Sequence, residues 1–193
     1  MQLILRLYES TEGNITYCGT NINDIKLDQY RKLFSQVEQK TFLFNSSIRE
    51  NIDPSQSCSD EQILDVADFL GVLGFFDSLA DGLDSNVGVD GSKLSGGERQ
   101  KIAALRAWIK PHKVLILDEV TNNLDMESEH LFNEKIMDKC DNGIIFIITH
   151  RVEMLQKMDK ILVMENGKLI NQGTYAHLLG VCSVFSNMLK NPK

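Results

Sequence analysis

No Gly-x-x-x-x-Gly-Lys-Ser/Thr segment occurs in the 193 residues, so the chain carries no self-contained glycine loop for cradling phosphates. Its four cysteines (Cys18, Cys58, Cys140 and Cys182) lack metal-ligand spacing. They read as reduced thiols, and a disulfide framework is not expected. No apolar run reaches the ~18 residues that a membrane-spanning helix needs, and no charged-then-apolar leader opens the chain. Basic residues are in deficit: 20 Lys and Arg stand against 27 Asp and Glu, a formal net charge of −7. That argues against a nucleic-acid partner, which needs clustered cations. Repeats and low-complexity tracts are absent. The expectation is a soluble or peripheral protein that reaches a membrane only through a partner.

What is present is a hydrophobic fraction of 42%, enough for one globular domain with a sizeable core and a subdomain. Leu3–Tyr8 begins in mid-pattern and reads as the tail of a helix. Gly13–Gly19 reads as a short strand, Leu27–Phe34 as a short helix, and Ser35–Gln39 as a strand running into a loop. From Asn45 to about Leu79 the pattern is helical. Ser59 with Gln62 forms a capping box there, and Gly71 and Gly74 punctuate the segment. Asp81–Lys93 reads as a loop. A helix follows from Ser95 to Ile109, with Ile102, Leu105 and Ile109 on one face, and Pro111 stops it.

The last third alternates strand and helix. Val114–Leu117 and Ile144–Ile148 read as buried strands, and Glu127–Cys140 and Val152–Met158 as helices. Ile161–Met164 is a third strand, and Asn166-Gly167 is a hairpin turn leading to Leu169-Ile170. Apolar strands alternating with helices imply an α/β fold with a parallel sheet covered on both faces.

Chemistry concentrates at strand ends. Asp118-Glu119 closes the apolar strand Val114–Leu117, where open parallel sheets bind ligands. Asp118 can face a magnesium ion and Glu119 an attacking water; the plainer reading is a solvated acidic pair. Ser95-Gly96-Gly97 opens a helix, whose backbone N–H groups and positive end suit a phosphate; the plainer reading is an N-cap. His150 follows Ile144–Ile148 and can bond a terminal phosphate or a water. Gln39 follows the strand at Val37 and can help hold the metal, or it is a solvated loop amide.

Four segments therefore stand in one order: Val37-Glu38-Gln39, Leu94–Gln100, Val114–Glu119 and Ile148-Thr149-His150-Arg151. Their succession resembles the nucleotide-binding domain of ATP-binding cassette (ABC) transporters, over nearly the whole chain. Leu94–Gln100 resembles the signature, Val114–Glu119 the Walker B strand, Asn123-Leu124-Asp125 the D-loop, Gln39 the Q-loop and His150 the switch histidine. Phe44–Ile52 and Ser85–Gly91 resemble exporter segments, with Val89 standing where the family has a glutamate.

The resemblance implies a P-loop NTPase-like α/β core (1–39 and 110–193) with an inserted helical subdomain (about 40–109). The N-terminal β-subdomain and Walker A are not in the chain, and the absence of that strand would leave a sheet edge and apolar surface exposed. ATP and Mg2+ are the implied cofactors. The implied site comprises Glu119 and His150 as catalytic groups, Asp118 and Gln39 toward the metal, and Gln39, Ser95, Gly96, Gly97 and Asp125 toward nucleotide. The implied partners are an ABC membrane domain and a second nucleotide-binding domain, head to tail, at the cytoplasmic face of the membrane.

Three readings compete. In the first, the chain is the C-terminal part of an exporter ATPase, inactive by itself for want of Walker A. In the second, it is a non-hydrolytic module that donates its signature to a Walker-A-bearing partner, or a decayed gene fragment. A soluble ABC protein of translation or DNA repair is weakened by Phe44–Ile52, by Ser85–Gly91 and by the acidic balance.

Overall fold

The computed structural model describes residues 1–120, 131–136, 143–149 and 151–190. The chain divides into two units, Met1–Ile147 and Ile148–Lys193.

In the first unit, strands β3 (Phe34–Val37), β4 (Val114–Asp118) and β5 (Ile144–Ile148) form one sheet in that order. β3 and β4 run parallel, with Phe34 opposite Val114 and Val37 opposite Leu117. β4 is the middle strand, and both its faces are covered. Leu115 and Leu117 join the main core, while Val114 and Ile116 pack with Leu5, Phe34 and Phe146 on the other side. This double burial is why Val114–Leu117 is uninterruptedly apolar.

β5 departs from the expectation of a buried strand. Ile144 is 52% and Ile148 38% exposed. β5 stands at the end of the strand order, and an apolar run does not reveal whether a strand's outer side is filled.

After the short helices α1 (Leu27–Arg31) and α4 (Gly74–Asp77), helix α5 (Gly96–Trp108) is the main helical layer. It buries Ile102, Ala103, Ala104, Leu105 and Ala107 in a core shared with α2 (Ile48–Ile52), α3 (Asp60–Phe69) and residues Phe132 and Ile136 of a helical stretch at 131–136. Ser47, Ser59 and Ser95 each open their helix with a reciprocal capping box, which satisfies backbone donors that a helix start otherwise leaves bare. The Ser59–Gln62 box is the one anticipated in full.

Two early segments differ from expectation. Gly13–Gly19 does not form one strand. Strands β1 (Thr16–Tyr17) and β2 (Thr20–Asn21) pair antiparallel around Cys18-Gly19, whose φ values are 48° and 81°, as a two-residue hairpin of the primed type requires. Leu3–Tyr8 forms hydrogen-bonded turns and no regular helix. Arg6 has a φ of 52°, which a right-handed helix does not admit. Its guanidinium donates to the Ile25 carbonyl at 2.8 Å, and the Tyr30 hydroxyl donates to the Ile4 carbonyl at 2.7 Å.

The link from α2 to α3 is fixed by a buried carboxylate. Asp53 is 1% exposed and accepts from the backbone N–H groups of Ser55, Ser57 and Cys58 at 3.1, 2.6 and 2.9 Å, and from both serine hydroxyls. Burial alone would raise its pKa. The bonds from Ser55, Cys58 and Ser57 more than offset this and hold it well below the usual carboxylate range.

In the second unit, strands β6 (Ile161–Glu165) and β7 (Lys168–Gly173) form the hairpin foreseen at Asn166-Gly167, where φ is 49° and 77°. Ile161 and Val163 point inward onto Leu178, Cys182 and Phe185 of helices Tyr175–Val181 and Ser183–Lys190. Leu162 and Met164 alternate outward and are half-exposed.

A carboxylate with a depressed folded pKa stabilises fully above its unfolded value, near 4, and loses that contribution as pH falls through the folded one. Asp53→Asn is therefore expected to lower stability at pH 7 by about 1–3 kcal/mol and by progressively less below pH 4. Urea denaturation at several pH values measures this, and a penalty independent of pH would contradict it.

Candidate nucleotide site at the strand ends

The parallel register of β3 and β4 decides where the chemistry sits. Val37 and Leu117 are partners and both are buried, at 1% and 2% exposure. The chain leaves both strands at the same level, so the residues two steps beyond, Gln39 and Glu119, emerge side by side. The Gln39 Nε2 amide donates to Glu119 Oε2 at 2.5 Å. Two residues separated by 80 positions in the chain are thus joined outside the carboxyl ends of the strands, as the topology rule anticipates.

Asp118 is the last residue of β4 and is half-buried. Burial, and then the charge of the adjacent Glu119, push its pKa up. Glu119 itself turns aside with a φ of 48°, the left-handed region that a side chain enters at a cost of roughly 1 kcal/mol.

The oxygens gathered here are two carboxylates and one amide, a hard-donor set that suits Mg2+ retaining several waters. A divalent cation here would offset both the burial of Asp118 and the adjacent Glu119 charge that together raise its pKa. Among the described residues no group of three or more His, Cys, Asp or Glu could hold a metal by itself.

The Ser95 turn opens α5. Ser95 Oγ accepts from the Glu98 N–H at 3.2 Å, and Glu98 Oε2 accepts from the Ser95 N–H at 2.7 Å. The capping reading of Ser95 is therefore correct, and it leaves Gly96 and Gly97 in the first turn of a 13-residue helix, whose leading N–H groups have no partner within the helix. Arg99, one turn on, ties this start to the preceding loop by donating to the Leu94 and Gly91 carbonyls at 2.8 and 3.3 Å. Gly91 has a φ of 70°, and a Cβ there would lie 2.8 Å from Arg99 Cδ and 2.9 Å from Leu43 Cδ1. A side chain here would be strained at this φ, and Arg99 or Leu43 would have to shift to admit it.

His150 and Asp125 lie outside the described residues, as do Asn122, Asn123 and Leu124. Just past β5, Thr149 Oγ1 accepts from the Arg151 N–H at 3.1 Å before helix Val152–Lys157. Arg99 and Asn51 lie in the segments Leu94–Gln100 and Phe44–Ile52 singled out in the sequence, but without a role of their own, and Arg106 lay outside every motif. An arginine inside the Ala- and Leu-rich stretch Ile102–Ala107 was the one available hint for Arg106.

An acid whose folded pKa is raised costs stability when ionised, and that cost vanishes as pH falls below the folded value. Asp118→Asn is therefore expected to raise the melting temperature at pH 7, and the gain should shrink on acidification. Glu119→Gly loses the same carboxylate as Glu119→Ala but relaxes the left-handed backbone, so it is expected to be about 1 kcal/mol more stable than Glu119→Ala. A lower melting temperature for Asp118→Asn, or a Glu119→Gly no more stable than Glu119→Ala, would contradict these assignments.

A family profile described as ABC transporter matches residues 1–122. The chain is 39% identical over 178 residues to the heterocyst differentiation ATP-binding protein HepA of Nostoc, covering 92% of this chain and 29% of that protein. It is 41% identical over 179 residues to an ATP-dependent lipid A-core flippase of Idiomarina loihiensis, covering 92% and 31%. A solved bacterial Atm1-family ABC exporter with ATP bound matches 98% of this chain and 34% of its own, with a TM-score of 0.93 at 29% identity. The chain thus spans about a third of the length of these relatives. A parallel strand pair ending in Gln39 and Asp118-Glu119, a capped Ser-Gly-Gly helix start and these similarities agree: the chain belongs to the ABC transporter family.

Proposed function

We propose that the chain is the C-terminal part of an ABC exporter's ATPase subunit, coupling ATP binding and hydrolysis to export of a substrate across a membrane. The observation that carries this reading is the Gln39–Glu119 contact beside Asp118 at the ends of β3 and β4. The relatives add support, since they include proteins named as flippases and as export ATP-binding/permease proteins.

In this reading Asp118 and the Gln39 amide oxygen are the groups that would hold Mg2+. The ion supplies charge neutralisation for the transferring phosphoryl group. Glu119 accepts a proton from the water that attacks the γ-phosphorus, the bond to the β–γ bridging oxygen breaks, and ADP and phosphate leave. His150 orients the terminal phosphate or the water. Asp125, of the D-loop-like segment, serves nucleotide binding. Ser95, Gly96 and Gly97 bind the γ-phosphate of ATP held by a second nucleotide-binding domain, using helix N–H groups. The partners are that second domain, head to tail, and an ABC membrane domain that brings the assembly to the cytoplasmic face of the membrane.

A second reading is favoured by one observation, the lack of a Gly-x-x-x-x-Gly-Lys-Ser/Thr loop in these residues. Here the chain donates Ser95–Gly97 to a partner's ATP and hydrolyses none. Catalysis of phosphoryl transfer is mostly positioning and charge stabilisation, so the 193 residues alone are expected to turn over no ATP in either reading.

The test mixes the chain with an exporter nucleotide-binding domain that has its own phosphate loop, and reads association by sedimentation and turnover by phosphate release. ATP is expected to drive association. Gly97→Asp, which keeps the Ser95 cap and adds a carboxylate at the phosphate position, is expected to weaken it by about tenfold or more. Association indifferent to both ATP and Gly97→Asp would overturn the proposal. To separate the two readings, the same assay is run with a family phosphate-loop segment joined ahead of residue 1: turnover that Glu119→Gln abolishes supports the first, and turnover indifferent to Glu119→Gln the second.

A further inference from the structure

We propose that Arg106 is a positioning residue for Gln39: by gripping the chain three residues beyond it, Arg106 sets how far that amide can move from Glu119. The proposal rests on the reading of Gln39 given above for its functional meaning, but not for its geometry.

The loop that carries Gln39 is pinned at two points. Upstream, Val37 is fixed in β3 opposite Leu117. Downstream, Arg106 Nη1 donates to the Phe42 carbonyl at 3.0 Å. Four residues, 38–41, lie between these pins, so Gln39 sits within a short span held at both ends.

Arg106 is itself held from both sides. Its Nε donates to the Asn51 carbonyl at 2.6 Å and its Nη2 to Asn51 Oδ1 at 3.1 Å. These three acceptors are neutral oxygens in different directions, a pattern the planar guanidinium fork can meet and a lysine ammonium cannot. Burial lowers the arginine's pKa.

Asn51 is fully buried and performs a second, separable task. Its Oδ1 accepts from the Phe44 N–H at 2.8 Å, and its Nδ2 donates to the Phe44 carbonyl at 2.9 Å and the Ser47 carbonyl at 2.9 Å. Phe42 and Phe44 are 58% and 51% exposed, with Leu43 between them 1% exposed. The two rings meet edge to face with centroids 5.2 Å apart. The stretch is held by the buried Leu43 side chain together with the backbone grip of Arg106 and Asn51. Arg106 therefore limits Gln39, whereas the side chain of Asn51 limits Phe44.

The experiment uses the full chain, isotope-labelled and free of nucleotide, so that its outcome is independent of whether ATP binds. The readouts are the Gln39 side-chain amide resonances, amide exchange at Phe44 and, as internal control, amide exchange at Ile102 and Leu105 in α5. Arg106→Lys is expected to move the Gln39 resonances toward those of a free amide while exchange in α5 stays unchanged. Asn51→Ala is expected to speed Phe44 exchange by about tenfold or more and to leave Gln39 in place, because Arg106 still reaches the Phe42 and Asn51 backbone carbonyls. A glycine inserted after Lys40 adds slack without touching the clamp and is expected to reproduce the Arg106→Lys signature, so the test survives a variant that fails to fold. Gln39 resonances unmoved by Arg106→Lys or by the insertion, or moved equally by Asn51→Ala, would overturn the proposal.

Discussion

The parallel register of β3 and β4 is the constraint on which the candidate site depends. Side chains on a strand alternate with period two, so a slip of one residue would send Leu115 and Leu117 to the wrong face of the sheet. That face is packed too, so the cost of forcing leucines into the space shaped for Val114 and Ile116 fixes Val37 opposite Leu117. Once that is fixed, Gln39 and Glu119 must leave the sheet together, and the hydrogen bond between them follows. The apolar core thus specifies a polar contact that lies outside it.

Burying polar groups is expensive unless every donor and acceptor is met. At Asp53, Asn51 and Arg106 the chain meets that demand with hydrogen bonds that each fix a loop. Asp53 gathers three backbone N–H groups between α2 and α3. Asn51 and Arg106 tie the segment after Gln39 to α5. Arg99 ties the loop before Ser95 to the same helix. α5 therefore links both candidate phosphate-facing regions, through Arg99 near its start and Arg106 two turns later. The site residues can be exposed and polar because their supports are buried and satisfied.

Features encoded locally were legible in the sequence. Val114–Leu117 declared a doubly buried strand, Ser59 with Gln62 declared a helix start, and Asn166-Gly167 declared a hairpin. The strand-end positions of Gln39 and Asp118-Glu119 were legible too. What escaped depended on distant partners or unusual backbone. The Cys18-Gly19 turn was hidden because cysteine is an uncommon residue at positive φ. Leu3–Tyr8 looked helical by pattern, but Arg6 breaks the progression. The exposure of Ile144 and Ile148 depends on what lies beyond β5, and no periodicity reports that. Arg106 and Asn51 act across 55 positions, so their role appears only when the chain is folded. The Gln39–Glu119 contact was unreadable for the same reason: it is a product of register.

The most direct test of this account is a double-mutant cycle on the two strand-end residues, Gln39→Ala and Glu119→Ala, with stability measured by urea denaturation of the single variants, the double variant and the parent chain. The account predicts a coupling of about 0.5–1.5 kcal/mol, as for a hydrogen bond to a charged group that is partly open to water. Strictly additive effects, with coupling below about 0.3 kcal/mol, would mean that the register does not bring the amide to the carboxylate, and the site as described would not exist.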